Sequence, residues 1–189
     1  SVARPAAVGV YYKVLFAGLV RTALAASARW GSGNLRADFG WWARPTDALR
    51  AVVLTWVAGM AGALAVSPWG ETGSRAGWIA TADGASAAVF VAFAVVAAPL
   101  FEELVFRGLL QRALTGRFGP VPAILVQGAV FGLYHFDLTG GADNLPTIVY
   151  ITTWGTVLGF AAQRYRRLGP GMVAHALTNV LVAAALLSG

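Results

Sequence analysis

The sequence contains no cysteine. Disulfides, thiolate metal sites and cysteine nucleophiles are therefore excluded. Charge is scarce too: 12% of the 189 residues are Asp, Glu, Lys or Arg, where a soluble domain carries about 25%. No repeat, low-complexity tract or linker divides the chain, so one domain over residues 1–189 is expected. Ala26-Ser27-Ala28 loosely resembles a leader cleavage site, but Arg21 interrupts the apolar stretch before it, and no cleaved leader is expected.

What the chain does have is apolar residues, 58% of the total. A water-soluble globule of this size would need more polar surface. The net charge of +6 would suggest nucleic acid in a soluble protein. Here the Arg residues sit between apolar runs, so the expected partner is the lipid bilayer and not nucleic acid.

Four windows hold no Asp, Glu, Lys or Arg: 51–70, 118–136, 144–163 and 168–189. Each is close to the roughly 20 residues that cross a bilayer. A further span runs from Ala85 to about Arg107, and a weaker one covers about residues 6–28, with Lys13 and Arg21. Backbone in lipid must satisfy its own hydrogen bonds, so these runs are expected to be helices. The predicted fold is an all-α polytopic integral membrane bundle of about six transmembrane helices.

Basic residues mark alternate connections. Arg29, Arg36, Arg44 and Arg50 lie between the first two spans, Arg112 and Arg117 after the third, and Arg164, Arg166 and Arg167 before the last. Glu71, Asp83, Asp137 and Asp143 occupy the other connections, with Arg75 as their only basic residue. The positive-inside rule then places the Arg-rich connections in the cytoplasm and both termini outside. Thr46 is the expected cap of the second span. Gly116 and Gly119-Pro120 are expected to break spans three and four, and Gly169-Pro170-Gly171 spans five and six. The segment 30–45, with Trp30, Trp41 and Trp42 among Arg residues, reads as an interfacial belt.

Against this background the few polar residues inside spans stand out. Two of the three Glu, Glu102 and Glu103, are adjacent in one span. Glu103 and Arg107 are four apart, so one helical face can pair them. Glu102, roughly 100° around the helix, is left for another role. Both His residues of the chain also fall in charge-free windows, and Asn179 lies four after His175, on the same helical face. Glu102 precedes the turn after span three by about as much as His135 follows it, so antiparallel helices can bring the two level. His175, five residues after Pro170, is shallower if its helix starts at the surface, so the levels match only if the turn near Arg117 projects well into the cytoplasm, as Arg107, Arg112 and Arg117 favour. The site is expected towards the cytoplasmic side.

Three patterns then appear in order: Glu102-Glu103-x-x-x-Arg107, Phe131-x-x-x-His135 and His175-x-x-x-Asn179. Together they resemble the signature of the CAAX-protease and bacteriocin-processing family, also called the Abi family, over roughly residues 85–188. The resemblance implies an intramembrane glutamate-type endopeptidase needing no cofactor and no metal, in the cell membrane of a bacterium. Glu102 and His135 would activate a water, His175 and Asn179 would stabilise the oxyanion, and Glu103 and Arg107 would organise the site. A peptide or protein, membrane-bound or not, would be the substrate. Eukaryotic members of the family remove the last three residues of prenylated proteins.

The chemistry stands beside the resemblance. Peptide hydrolysis needs a base for water, a proton for the amine and donors for the oxyanion. Glu, His and Asn can supply them. Three alternatives remain open at this point. Glu102, His135 and His175 resemble the His₂Glu set of a zinc peptidase, though no H-E-x-x-H motif is present and no carboxylate lies one turn from either His. A non-catalytic immunity or scaffold protein could keep the same residues for structure. Intramembrane Glu and His also mark proton-coupled carriers.

Overall fold

The computed structural model describes residues 17–18, 20–69, 84–136 and 145–188. No strand occurs among them. Helix α1 covers residues 20–30, α2 Leu35–Phe39 and α3 Pro45–Val66. The longest helix, α4, runs Gly84–Phe118, with π-helical stretches at Phe93–Ala97 and Glu103–Gln111. Then follow α5, Pro120–Tyr134, α6, Leu145–Tyr165, and α7, Gly169–Ser188.

Four of these are long and apolar enough to cross a membrane: α3 with its extension to Trp69, α4, α6 and α7. Helix α5 has 15 residues, about 22 Å, and is shorter than the expected span 118–136. The expected first span lies largely outside the described residues. Large apolar side chains point outward, as Val53, Val57, Met60 and Leu64 do on α3. Small residues sit where helices approach most closely, since lipid tails give no hydrophobic drive and close van der Waals contact holds the helices together.

The α5–α6 crossing is the tightest example. Gly128 and Gly132 face Thr156 and Thr152, while Gly155 and Gly159 face Phe131 and the Gln127 side chain. A methyl group at any of the four would strike its neighbour. Around this crossing pack Ala51 and Val52 of α3, Phe106 of α4, Phe131 of α5, Trp154 and Leu158 of α6 and Ala174 of α7.

Several boundaries differ from those expected. Thr46 does not cap α3. Pro45 takes the first helical position, where its missing N–H costs nothing, and Arg44 before it is extended at φ −77° and ψ 139°, as a residue before proline prefers. Gly116 lies inside α4, and Gly119 alone makes the break, at φ 82° and ψ 172°. Gly169-Pro170-Gly171 forms the first turn of α7 instead of a separator. The turn before it is made by Arg166, at φ 54°, with Arg167 and Leu168.

The segment between α1 and α3 is more than an interfacial belt. Asn34 caps α2 by accepting from the Ala37 amide. Phe39 is buried with Leu104, Leu168 and Met172, and Trp41 packs against them. The Leu168 amide donates to Phe39 O at 3.1 Å and the Gly169 amide to Gly40 O at 3.0 Å. Asp38 is held by the Ser27 hydroxyl and by the amide and hydroxyl of Ser32. These bonds, Ser27 first, keep its carboxyl below the usual range. Arg112 donates to Asp38 O at 2.7 Å, and the Arg167 guanidinium lies 4.1 Å from the Trp42 ring and pairs with Asp47. The Arg-rich connections therefore gather at one end of the bundle, around this segment.

Two outcomes follow. An impermeant maleimide should reach Gly116→Cys and Ser188→Cys from opposite faces of the membrane, because α7 starts at the Arg-rich end and runs away from it. Labelling of both from one face would refute that arrangement. Arg166→Gly should raise stability by about 1 kcal/mol, since a left-handed backbone strains any L side chain. A thermal melt reads this directly.

Candidate active site

The polar residues of α4 lie where the helix changes from α to π, a distortion that often accompanies functional sites. Glu103, Arg107 and Gln111 all point inward and are buried. Arg107 Nη1 donates to Glu103 Oε1 at 3.0 Å, with both side chains fully buried. Arg107 Nη2 donates to Gly155 O at 2.9 Å. Gln127 of α5 donates to the same carbonyl at 2.9 Å, and Gln111 to Gly159 O at 2.9 Å. The Phe131 ring covers the guanidinium at 4.4 Å. A buried ion pair needs such supplementary bonds to offset its desolvation.

Glu103 also lies at the start of α7. A Cβ on Gly171 would come 2.9 Å from Glu103 Oε2, so the glycine permits the carboxylate to approach the helix N-terminus. The helix dipole favours a negative charge there.

Glu102 is buried too, but it faces a cavity of about 560 Å³. His175 stands between the two carboxylates. Its Nδ1 is 3.3 Å from Glu103 Oε1 and its Nε2 is 3.6 Å from Glu102 Oε2. The Trp154 ring meets the imidazole at right angles, with centroids 4.7 Å apart. His135 closes α5 and is half-buried. Its Nδ1 is 2.8 Å from Phe131 O, a pure acceptor, so Nδ1 carries the proton and Nε2 is the free nitrogen. Asn179 donates through Nδ2 to Ala94 O at 2.7 Å, in the first π stretch of α4, and keeps a second N–H.

Glu102, His135, His175 and Asn179 all line this cavity, together with Phe131 and Trp154. The levels match because the exposed α4–α5 turn extends beyond the buried start of α7. Glu102 and His135 lie about 24 and 22 Å from the α4–α5 turn, as expected. His175 lies only about 9 Å into its helix. It reaches them because α7 starts recessed: Gly169, Pro170, Gly171 and Met172 are buried, and the Leu168 and Gly169 amides bond the 31–44 segment. Along α4 the site is level with the middle of the helix instead of its Arg-rich end. No carboxylate lies one turn from His175 on its own helix, but Glu103 reaches it from α4.

Sequence reasoning missed Trp154, Gln111, Gln127 and the glycine carbonyls. Gln127, the one polar side chain in the apolar run 120–133, was the available signal. Among the described residues no three His, Asp or Glu side chains converge as a metal centre would need.

Arg107→Ala should lower stability by about 3–5 kcal/mol, because it strands Glu103 as a buried, unpaired charge. Glu102→Gln should melt close to the wild type. Equal melting of Arg107→Ala and wild type would contradict the buried pair.

A comparison with protein families matches residues 84–181 to the Rce1-like family, described as type II CAAX prenyl endopeptidase Rce1-like. No curated protein and no solved structure matches. The matched stretch runs from the first residue of α4 into α7, covers just over half of the chain and contains all six residues named above. The chain therefore belongs to the Rce1-like family of CAAX-type membrane proteases.

Proposed function

We propose that the chain is an intramembrane endopeptidase that hydrolyses a peptide bond with a water activated by Glu102 and His135. The observation that carries this reading is the convergence of four residues from three separate motifs on one cavity. Water held between the Glu102 carboxylate and His135 Nε2 attacks the peptide carbonyl. Glu102 takes the water's proton and later returns it to the leaving amine. The oxyanion meets N–H donors from His175 and Asn179. In this scheme His175 acts as the imidazolium: its Nδ1–H donates to Glu103 and its Nε2–H faces the reacting atoms. Glu103 and Arg107 do not touch substrate in this scheme. They fix the ring of His175, and Gly155 O fixes Arg107 in turn.

The mechanism needs no metal. The Asn179 amide is a good oxyanion donor and a weak zinc ligand. His175 has a carboxylate on each nitrogen, which suits a proton donor.

Two measurements test the proposal. Glu102→Gln should reduce peptide cleavage by at least about tenfold, since Gln keeps the shape but accepts no proton. Residual activity above that level removes Glu102 as the base. Cleavage should also survive purification through a strong chelator. Activity that disappears with the metal and returns with stoichiometric zinc would install the zinc mechanism instead.

A further inference from the structure

His175 has to do its work at the moment one of its supports weakens. Its imidazole lies between two carboxylates, 3.3 Å from Glu103 Oε1 and 3.6 Å from Glu102 Oε2. A full N–H···O bond measures about 2.9–3.0 Å. The Glu102 contact is therefore too long to fix the ring by hydrogen bonding, and it holds Nε2 by charge. When Glu102 takes the proton of the attacking water, that charge disappears. At the same step the oxyanion forms and needs the Nε2–H. The ring is then bonded at Nδ1 alone. A ring held at one nitrogen can pivot and carry the other away from the reacting atoms.

Two aromatic rings stand in the way of that pivot. Trp154 of α6 lies at 86° to the imidazole with centroids 4.7 Å apart, and Phe131 of α5 lies at 85° and 6.2 Å. Trp154 is the nearer, at the close end of the range for aromatic pairs. It is itself buried in the core cluster. On its α3 side, a Cβ on Gly59 would stand 3.8 Å from Trp154 Cδ1. The indole carries no charge and takes no part in the proton transfer. Its contact with His175 is the same before and after Glu102 is protonated.

We propose that Trp154 is a positioning residue for His175: it keeps the Nε2–H aimed at the oxyanion once Glu102 has taken the water's proton. Trp154 acts through the imidazole and touches no reacting atom. The inference rests on the peptidase reading of the same cavity and adds to it the residue that holds the ring when the carboxylate lets go.

The experiment reads the ring and the rate separately, on the chain in detergent. The chain has two His residues, so isotope-labelled histidine gives two sets of imidazole NMR signals, and His135→Gln assigns them. Glu102→Gln mimics the uncharged carboxylate. In that protein His175 should keep one sharp set of signals. Adding Trp154→Leu should broaden or multiply them. A single sharp set in the double variant overturns the proposal. The rate is read on an internally quenched prenylated peptide with Glu102 in place. Trp154→Leu should lower kcat and kcat/KM together, about tenfold or more, as loss of an interaction made in the transition state does. Trp154→Phe, which restores a ring, should bring kcat back to within about threefold of wild type. A residue that merely lined the cavity would raise KM and spare kcat, and that split overturns the proposal. If Trp154→Leu does not fold, Trp154→Met, similar in reach but without a ring, takes its place in both measurements. A wild type that cleaves while the ringless variant keeps its kcat sinks this inference and leaves the peptidase reading standing. A wild type that cleaves neither the prenylated peptide nor its unprenylated twin removes both.

Discussion

The burial of Arg107 is the constraint from which the rest of the site follows. A guanidinium without solvent contact demands a counter-charge and further acceptors. Glu103 supplies the first and Gly155 O the second. That carbonyl is reachable only because α5 and α6 cross at glycines, with Gly128, Gly132, Gly155 and Gly159 allowing near contact. Gln127 and Gln111 extend the same arrangement to Gly155 and Gly159. One charge thus fixes α4 against α5 and α6 in a medium that offers little hydrophobic drive for helix association.

The same constraint separates two chemically identical neighbours. Glu103 is neutralised by Arg107 and immobilised, while Glu102, one residue earlier, turns to the cavity. His175 then joins them, since it presents one nitrogen to each. Glu103 is therefore both the counter-ion of a structural cation and the group that orients a cavity-lining imidazole. The first π stretch of α4 plays a parallel part for Asn179, whose amide it anchors through Ala94 O.

Much of this was legible from spacing. The four-residue interval between Glu103 and Arg107 predicts their pair, and the same interval puts His175 and Asn179 on one face. The all-α membrane bundle follows from the apolar runs: three of the four helices of spanning length stand in or overlap charge-free windows, and the fourth, α4, covers the span expected from Ala85. What spacing cannot express is contact across distant segments. The Glu103–His175 bond joins residues 72 apart, and the Arg107–Gly155 bond joins residues 48 apart. Local rules also compete. Thr46 is a good cap in isolation, but Pro45 takes the first position more cheaply. Gly116 is tolerated inside α4 because Gly119 adopts the backbone angles that end it.

The recessed start of α7 ties these observations together. A helix beginning at the surface would leave His175 more than two turns short of Glu102. The 31–44 segment removes that mismatch by covering the α6–α7 turn: Phe39 and Gly40 carbonyls take the amides of Leu168 and Gly169. Gly40 sits at φ 64° with the Arg167 side chain against it, and Gly169 has the Trp42 carbonyl against it, so both contacts exclude a side chain. The segment lies before α4 and outside the residues that match the family. Yet it sets the height of His175, and with it the meeting of the third motif with the first. The chemistry-bearing residues belong to α4, α5 and α7, but their registration belongs partly to a stretch with no catalytic group of its own.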